Sequence, residues 1–90
     1  MDDKELRKLL RELREEIKKT RAVDEKGRRM LISLDGDIHD LLEYPENNPV
    51  QVHPSIVQRF QGARDHFEVT HPGLTANISK LLNTLSTIGI

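Results

Sequence analysis

Residues 3–20 read Asp-Lys-Glu-Leu-Arg-Lys-Leu-Leu-Arg-Glu-Leu-Arg-Glu-Glu-Ile-Lys-Lys-Thr, and the spacing of their apolar positions decides the fold class. Leu6, Leu10, Leu13 and Ile17 recur at steps of four, three and four, with Leu9 widening the stripe. A strand would alternate apolar and polar residues; steps of three and four put one stripe on one face of a helix. Asp2 and Glu5 have capping-box spacing, and acidic residues in a first turn suit the positive end of the helix dipole. Read as heptads, the stripe places Leu6 and Leu13 at d, Leu10 and Ile17 at a, and Arg7, Arg14 and Arg21 on the e flank.

The same periodicity continues outward from this segment. A second helix is expected from Asp24, a suitable N-cap, to Glu43, with Leu31, Leu34, Ile38 and Leu41 on its seam and Met30 and Leu42 beside it. Tyr44-Pro45 stops it, because proline disfavours helical conformation in the residue before it. The short link at Arg21–Val23 implies antiparallel neighbours, so residues 3–43 should form a helical hairpin. Asp35 and Asp37, flanking the second seam, would then lie near Arg7 and Arg14. Residues 44–53 are rich in Pro and Asn and read as a linker.

Two further helices follow. Residues 54–69 place Ile56, Phe60, Ala63 and Phe67 inward, and residues 72–88 do the same with Leu74, Ile78, Leu81, Leu85 and Ile88. Each opens on a proline, Pro54 and Pro72, at a position that has no intrahelical use for an N–H. Val52 with Val57, and Val69 with Leu74, have the spacing of hydrophobic staples if His53 and Thr70 are the caps. The pattern specifies one all-α domain over residues 1–90, a four-helix bundle-like unit made of the hairpin and a C-terminal pair spanning residues 54–88, with coiled-coil-like seams. Whether the last two helices fold back or stack end to end is open at this level.

Composition narrows the function classes. The chain has 90 residues, 36% hydrophobic, 32% charged and only 3% aromatic, so its core lacks the area that aromatic side chains usually supply. A core that thin is often completed by a second copy, and a homodimer is expected. The absence of cysteine excludes disulfides and thiolate chemistry, and with an acidic, non-secretory opening it suggests a cytoplasmic protein. The longest apolar run, Met30–Ile32, is far short of the roughly 18 residues that span a bilayer, so no membrane association is expected. Residues 1–43 hold eleven Lys/Arg and twelve Asp/Glu, whereas residues 44–90 hold three of each. The last helix has Lys80 as its sole charge, and its seam is flanked by Thr75, Asn77, Leu82 and Thr84. Its residues Leu74, Ile78, Leu81, Leu85 and Ile88 are therefore a candidate interface, weighed equally against packing within the chain.

Chemical motifs are weak. Glu68 and His71 match the Glu-x-x-His spacing of carboxylate-bridged metal sites, but there is one copy and His71 precedes a proline. Asp35, His39 and Glu43 stand four apart on one helix face, where ordinary surface pairing explains them better than metal or acid–base chemistry. Ser33, Ser55, Ser79 and Ser86 lie in no nucleophile elbow, and there is no glycine-rich phosphate loop. No cofactor, metal or catalytic residue is assigned. Arg7, Arg11, Arg14, Lys18 and Arg21 form the one basic stripe, which supports an alternative role in binding nucleic acid or an acidic surface. Interleaved Glu12, Glu15 and Glu16, a net charge of −1 and few aromatics argue against nucleic acid. The favoured reading is a non-catalytic helical interaction or assembly module that associates with itself.

The closing stretch Phe67-Glu68-Val69-Thr70-His71-Pro72-Gly73-Leu74-Thr75, with Leu85-Ser86-Thr87-Ile88-Gly89-Ile90, resembles the C-terminal signature of short bacterial proteins grouped as domain of unknown function 4404. Lys4-Glu5-Leu6, Leu9, Leu10 and Leu13, and the Asp37-Ile38 and Leu41-Leu42 pairs are similar to that family as well. Asn83 stands where members often carry an acidic residue. The resemblance implies a bacterial origin and brings no activity, substrate or site residue.

Overall fold

The computed structural model describes residues 3–44 and 52–87. Four α-helices occur among them: α1 (Asp3–Lys19), α2 (Glu25–Leu42), α3 (Pro54–Phe67) and α4 (Pro72–Thr87). Asp2, Ile88 and residues 45–51 of the expected linker lie outside the described residues.

Helices α2 and α3 begin where the sequence offers a partner for the free N–H groups of a first turn. Asp24 is extended (φ −77°, ψ 175°) and its carboxylate accepts from the Gly27 N–H at 2.7 Å, with Glu25 in the first turn of α2. His53 caps α3, its Nδ1 accepting from the Ser55 N–H at 3.1 Å, and Pro54 follows. Val52 is buried and Val57 partly so, consistent with a staple at that end. At α4 the expected staple is absent. The helix starts at Pro72, so His71 rather than Thr70 precedes it, and Val69 is 90% exposed. Its side chain faces solvent instead of Leu74.

The helices pack as a closed ring: α1 on α2, α2 on α3, α3 on α4 and α4 back on α1, with no close backbone approach between the diagonal pairs. The last two helices therefore fold back beside one another. Cross-helix bonds give the directions. Arg14 Nε donates to Asp35 at 3.0 Å and Arg7 Nη1 to the Tyr44 carbonyl at 2.9 Å, so α1 and α2 are antiparallel. Arg59 grips Asp37 with two bonds of 2.8 and 2.9 Å while His66 reaches Asp24, so α2 and α3 are antiparallel too. The bundle measures 38 × 21 × 20 Å.

Among the described residues the expected seams turn inward. Leu6, Leu10, Leu13, Leu34, Ile38, Phe60, Ala63, Phe67, Leu74, Ile78, Leu81 and Leu85 are each at most 2% exposed, with Leu9, Leu31 and Leu41 buried beside them. Each buried Leu, Ile or Phe contributes about 1.5–3 kcal/mol relative to exposure. Together they form one continuous core, with Ile17, Met30, Leu42 and Ile56 packed partly buried at its margin. The hairpin charges are met in part: Asp35 takes Arg14 as expected, but Asp37 turns to Arg59 of α3 rather than to α1.

Candidate interaction surface

The α1–α2 and α3–α4 turns meet at one end of the bundle, where Asp24, His66 and His71 collect. His66 Nε2 lies 3.0 Å from Asp24 Oδ1, the oxygen that also caps α2. Hydrogen bonding from His66, then from the Gly27 N–H, holds the Asp24 carboxyl below its ordinary pKa. His71 Nε2 is 2.8 Å from the Arg21 carbonyl, an acceptor only, so that nitrogen carries the hydrogen. In the neutral ring Nδ1 then accepts from the Thr70 hydroxyl at 2.9 Å. Phe67 sits between the two imidazoles, edge-on to His66 at 5.0 Å and to His71 at 5.3 Å. Its ring closes over Gly27, where a Cβ would stand 2.9 Å from Phe67 Cζ. Ala22, at φ 59°, turns the loop beneath them. These groups are committed to joining two turns.

The metal candidates are not brought together. Glu68 is exposed past the end of α3, His71 is bonded as described, and Asp35 is held by Arg14 while His39 and Glu43 are exposed. No group of three His, Cys, Asp or Glu placed to hold a metal occurs among the described residues.

The basic residues of helix α1 do not form one exposed stripe. Arg7 is buried at 5% exposure with its guanidinium on the end of α2, and Arg14 is half-buried on Asp35. Both lie on the e flank, which the hairpin turns toward α2. Arg11 and Lys18 are exposed on α1, Lys18 beside Glu15 at 3.5 Å, and Arg21 bonds the carbonyls of Lys18 and Thr20. The candidate interface of α4 is likewise accounted for within the chain: Leu74, Ile78, Leu81 and Leu85 are core residues at 0–2% exposure. Thr75, Asn77, Leu82 and Thr84 are half-buried against the two neighbouring helices, which explains why that face carries almost no charge. Ile88 lies outside the described residues.

The outer face of α2 is open. Ile32 is 61% exposed beside a groove of about 560 Å³ between α1 and α2, with Ile17, Val23 and Leu31 in its lining and Lys18, Arg21 and Arg28 at its rim. Lys26, Arg29, Ser33, Gly36, Asp40 and Glu43 are all exposed on the side of α2 opposite its core stripe. A Cβ built on Gly36 meets nothing within 4 Å, so no contact inside the chain requires a glycine there. Apolar periodicity is blind to this face, because its signal is the placement of small and charged residues. No helix is long and apolar enough to cross a membrane among the described residues.

No curated protein and no solved structure matches this chain. A family model described as Domain of unknown function (DUF4404) matches residues 6–90.

Proposed function

This chain belongs to that family of unknown function, and from this premise we propose that it is a non-catalytic helical interaction module that associates with a second copy of itself. One observation carries the reading. The core is filled by the chain's own four helices, yet mid-helix on the outer face of α2 stands Gly36 in open space, one turn from the exposed Ile32. Glycine in an exposed helix interior costs about 1 kcal/mol relative to alanine. A residue without a side chain at that place lets another backbone come close, and Ile32 supplies apolar area beside it. Asp24, His66 and His71 are engaged in bonds that join the turns. The cysteine-free composition suits a reducing, cytoplasmic setting.

The test is molar mass by light scattering on a sizing column, across a wide dilution series and at two salt concentrations. The expected result is a mass above the 10.4 kDa of one chain at high concentration, falling toward it on dilution. A mass of one chain at every concentration would refute self-association.

A further inference from the structure

Resting on that reading, we infer that the dimer forms through an antiparallel contact of α2 with α2 of a second copy, in a register written into its exposed face. Lys26, Arg29, Ser33, Gly36, Asp40 and Glu43 follow one another at steps of three, four, three, four and three. That is the a/d spacing of a coiled-coil seam, here on the side of the helix turned away from Leu31, Leu34, Ile38 and Leu41. The six residues are ordered by charge: two bases, two small residues, two acids.

Reflect the seam about the midpoint between Leu34 and Asp35, as a two-fold axis would. Lys26 then faces Glu43 of the second copy, Arg29 faces Asp40, and Ser33 faces Gly36. Every charge meets its opposite, and the smallest residues meet at the axis, where the two helices must approach most closely. A parallel pairing would set Lys26 on Lys26 and Asp40 on Asp40. The antiparallel arrangement also opposes the two helix dipoles. Within the chain Lys26, Asp40 and Glu43 form no ion pair among the described residues, while Arg29 shares Glu25 at 3.4 Å with Arg28. The seam is therefore largely unspent. It also favours a second copy over a uniformly acidic partner, which would be repelled by Asp40 and Glu43.

From Lys26 to Glu43 the seam is about 25 Å long, at about 1.5 Å per residue. A single helix-on-helix contact of that length falls short of the roughly 1,200–2,000 Å² buried in stable complexes, so the dimer dissociates on dilution. Its outer layers are ionic and exposed, so salt weakens it further.

The test is a charge exchange with the whole chain. K26E/R29E makes the seam acidic throughout, and D40K/E43K makes it basic throughout; all four positions are exposed, and circular dichroism checks that both variants stay folded. Each variant alone should lose the dimer, weakening it by more than about tenfold through like-charge contact. An equimolar mixture should recover it as a heterodimer. Loss in both variants without recovery on mixing would overturn the register. Variants that keep the parental mass would place the contact elsewhere and overturn this inference while leaving self-association standing. A parental chain that is monomeric at all concentrations would end both.

Discussion

Replacing Gly27 with alanine tests whether the junction of the two turns is as tightly built as its geometry indicates. The added Cβ would stand 2.7 Å from Asp24 Oδ1, 2.9 Å from Phe67 Cζ and 3.0 Å from Phe67 Cε1. Phe67 is 1% exposed and flanked by His66 and His71, so its ring has little room to retreat. Asp24 can move only by loosening its bonds to the Gly27 N–H and to His66. Overpacking of this kind costs about 1–3 kcal/mol, and the better helix propensity of alanine returns at most about 1 kcal/mol. With two obstacles converging, the net loss should be about 1–2 kcal/mol. For a domain of this size that lowers Tm by roughly 5–15 °C. Gly62→Ala is the control, since a Cβ there meets nothing within 4 Å. It should raise stability by about 0.5–1 kcal/mol. Urea and thermal unfolding followed by circular dichroism read both values. A G27A chain as stable as its parent would mean that Phe67 does not close over α2 as described.

Three other outcomes follow from the same bonds. Ala22→Gly should raise Tm by a few degrees, because alanine at φ 59° bears a left-handed strain of about 1 kcal/mol that glycine lacks; an unchanged or lower Tm in a thermal melt would contradict it. The Asp24 carboxyl is held below its ordinary value, so its contribution is complete above the ordinary aspartate range and is lost as pH falls through the depressed value. In acid titrations of stability, D24N should be flatter than its parent in that window, and parallel curves would exclude the carboxylate as the cause. Leu81→Ala, at a position with 0% exposure, should cost about 2–5 kcal/mol in urea unfolding, and a loss under about 1 kcal/mol would show that the site is not core.

The steps of three and four identified every helix and nearly every core residue, because burying an apolar stripe is a local demand that each helix states in its own residues. The expected helix of residues 3–20 ends at Lys19, and that of 54–69 ends at Phe67. What covers each stripe is a different matter. Leu74, Ile78, Leu81 and Leu85 read equally well as an interface and as the inner face of the chain's own ring, since periodicity marks burial without naming the neighbour. The basic stripe misled for a related reason: charge on a flank says nothing of whether a carbonyl such as that of Tyr44 draws the side chain inward. The bonds of His66 to Asp24 and of His71 to Arg21 cross 42 and 50 residues, so no local spacing could reveal them. His71 could be singled out from its neighbours Glu68 and Pro72, but not given its partner.

The closed ring also makes the order of the helices along the chain partly interchangeable. Because α1 and α4 are adjacent, and Gly73 at the start of α4 lies beside Glu16 near the end of α1, these two helices run antiparallel. The opening of α1 and the close of α4 therefore share one end of the bundle, as do the close of α2 and the opening of α3. A circular permutant that bridges the former pair and cuts between the latter would run α3, α4, α1, α2 and keep every helix neighbour it has now. The architecture is a property of the cycle of contacts, and the chain is one of several ways to thread it.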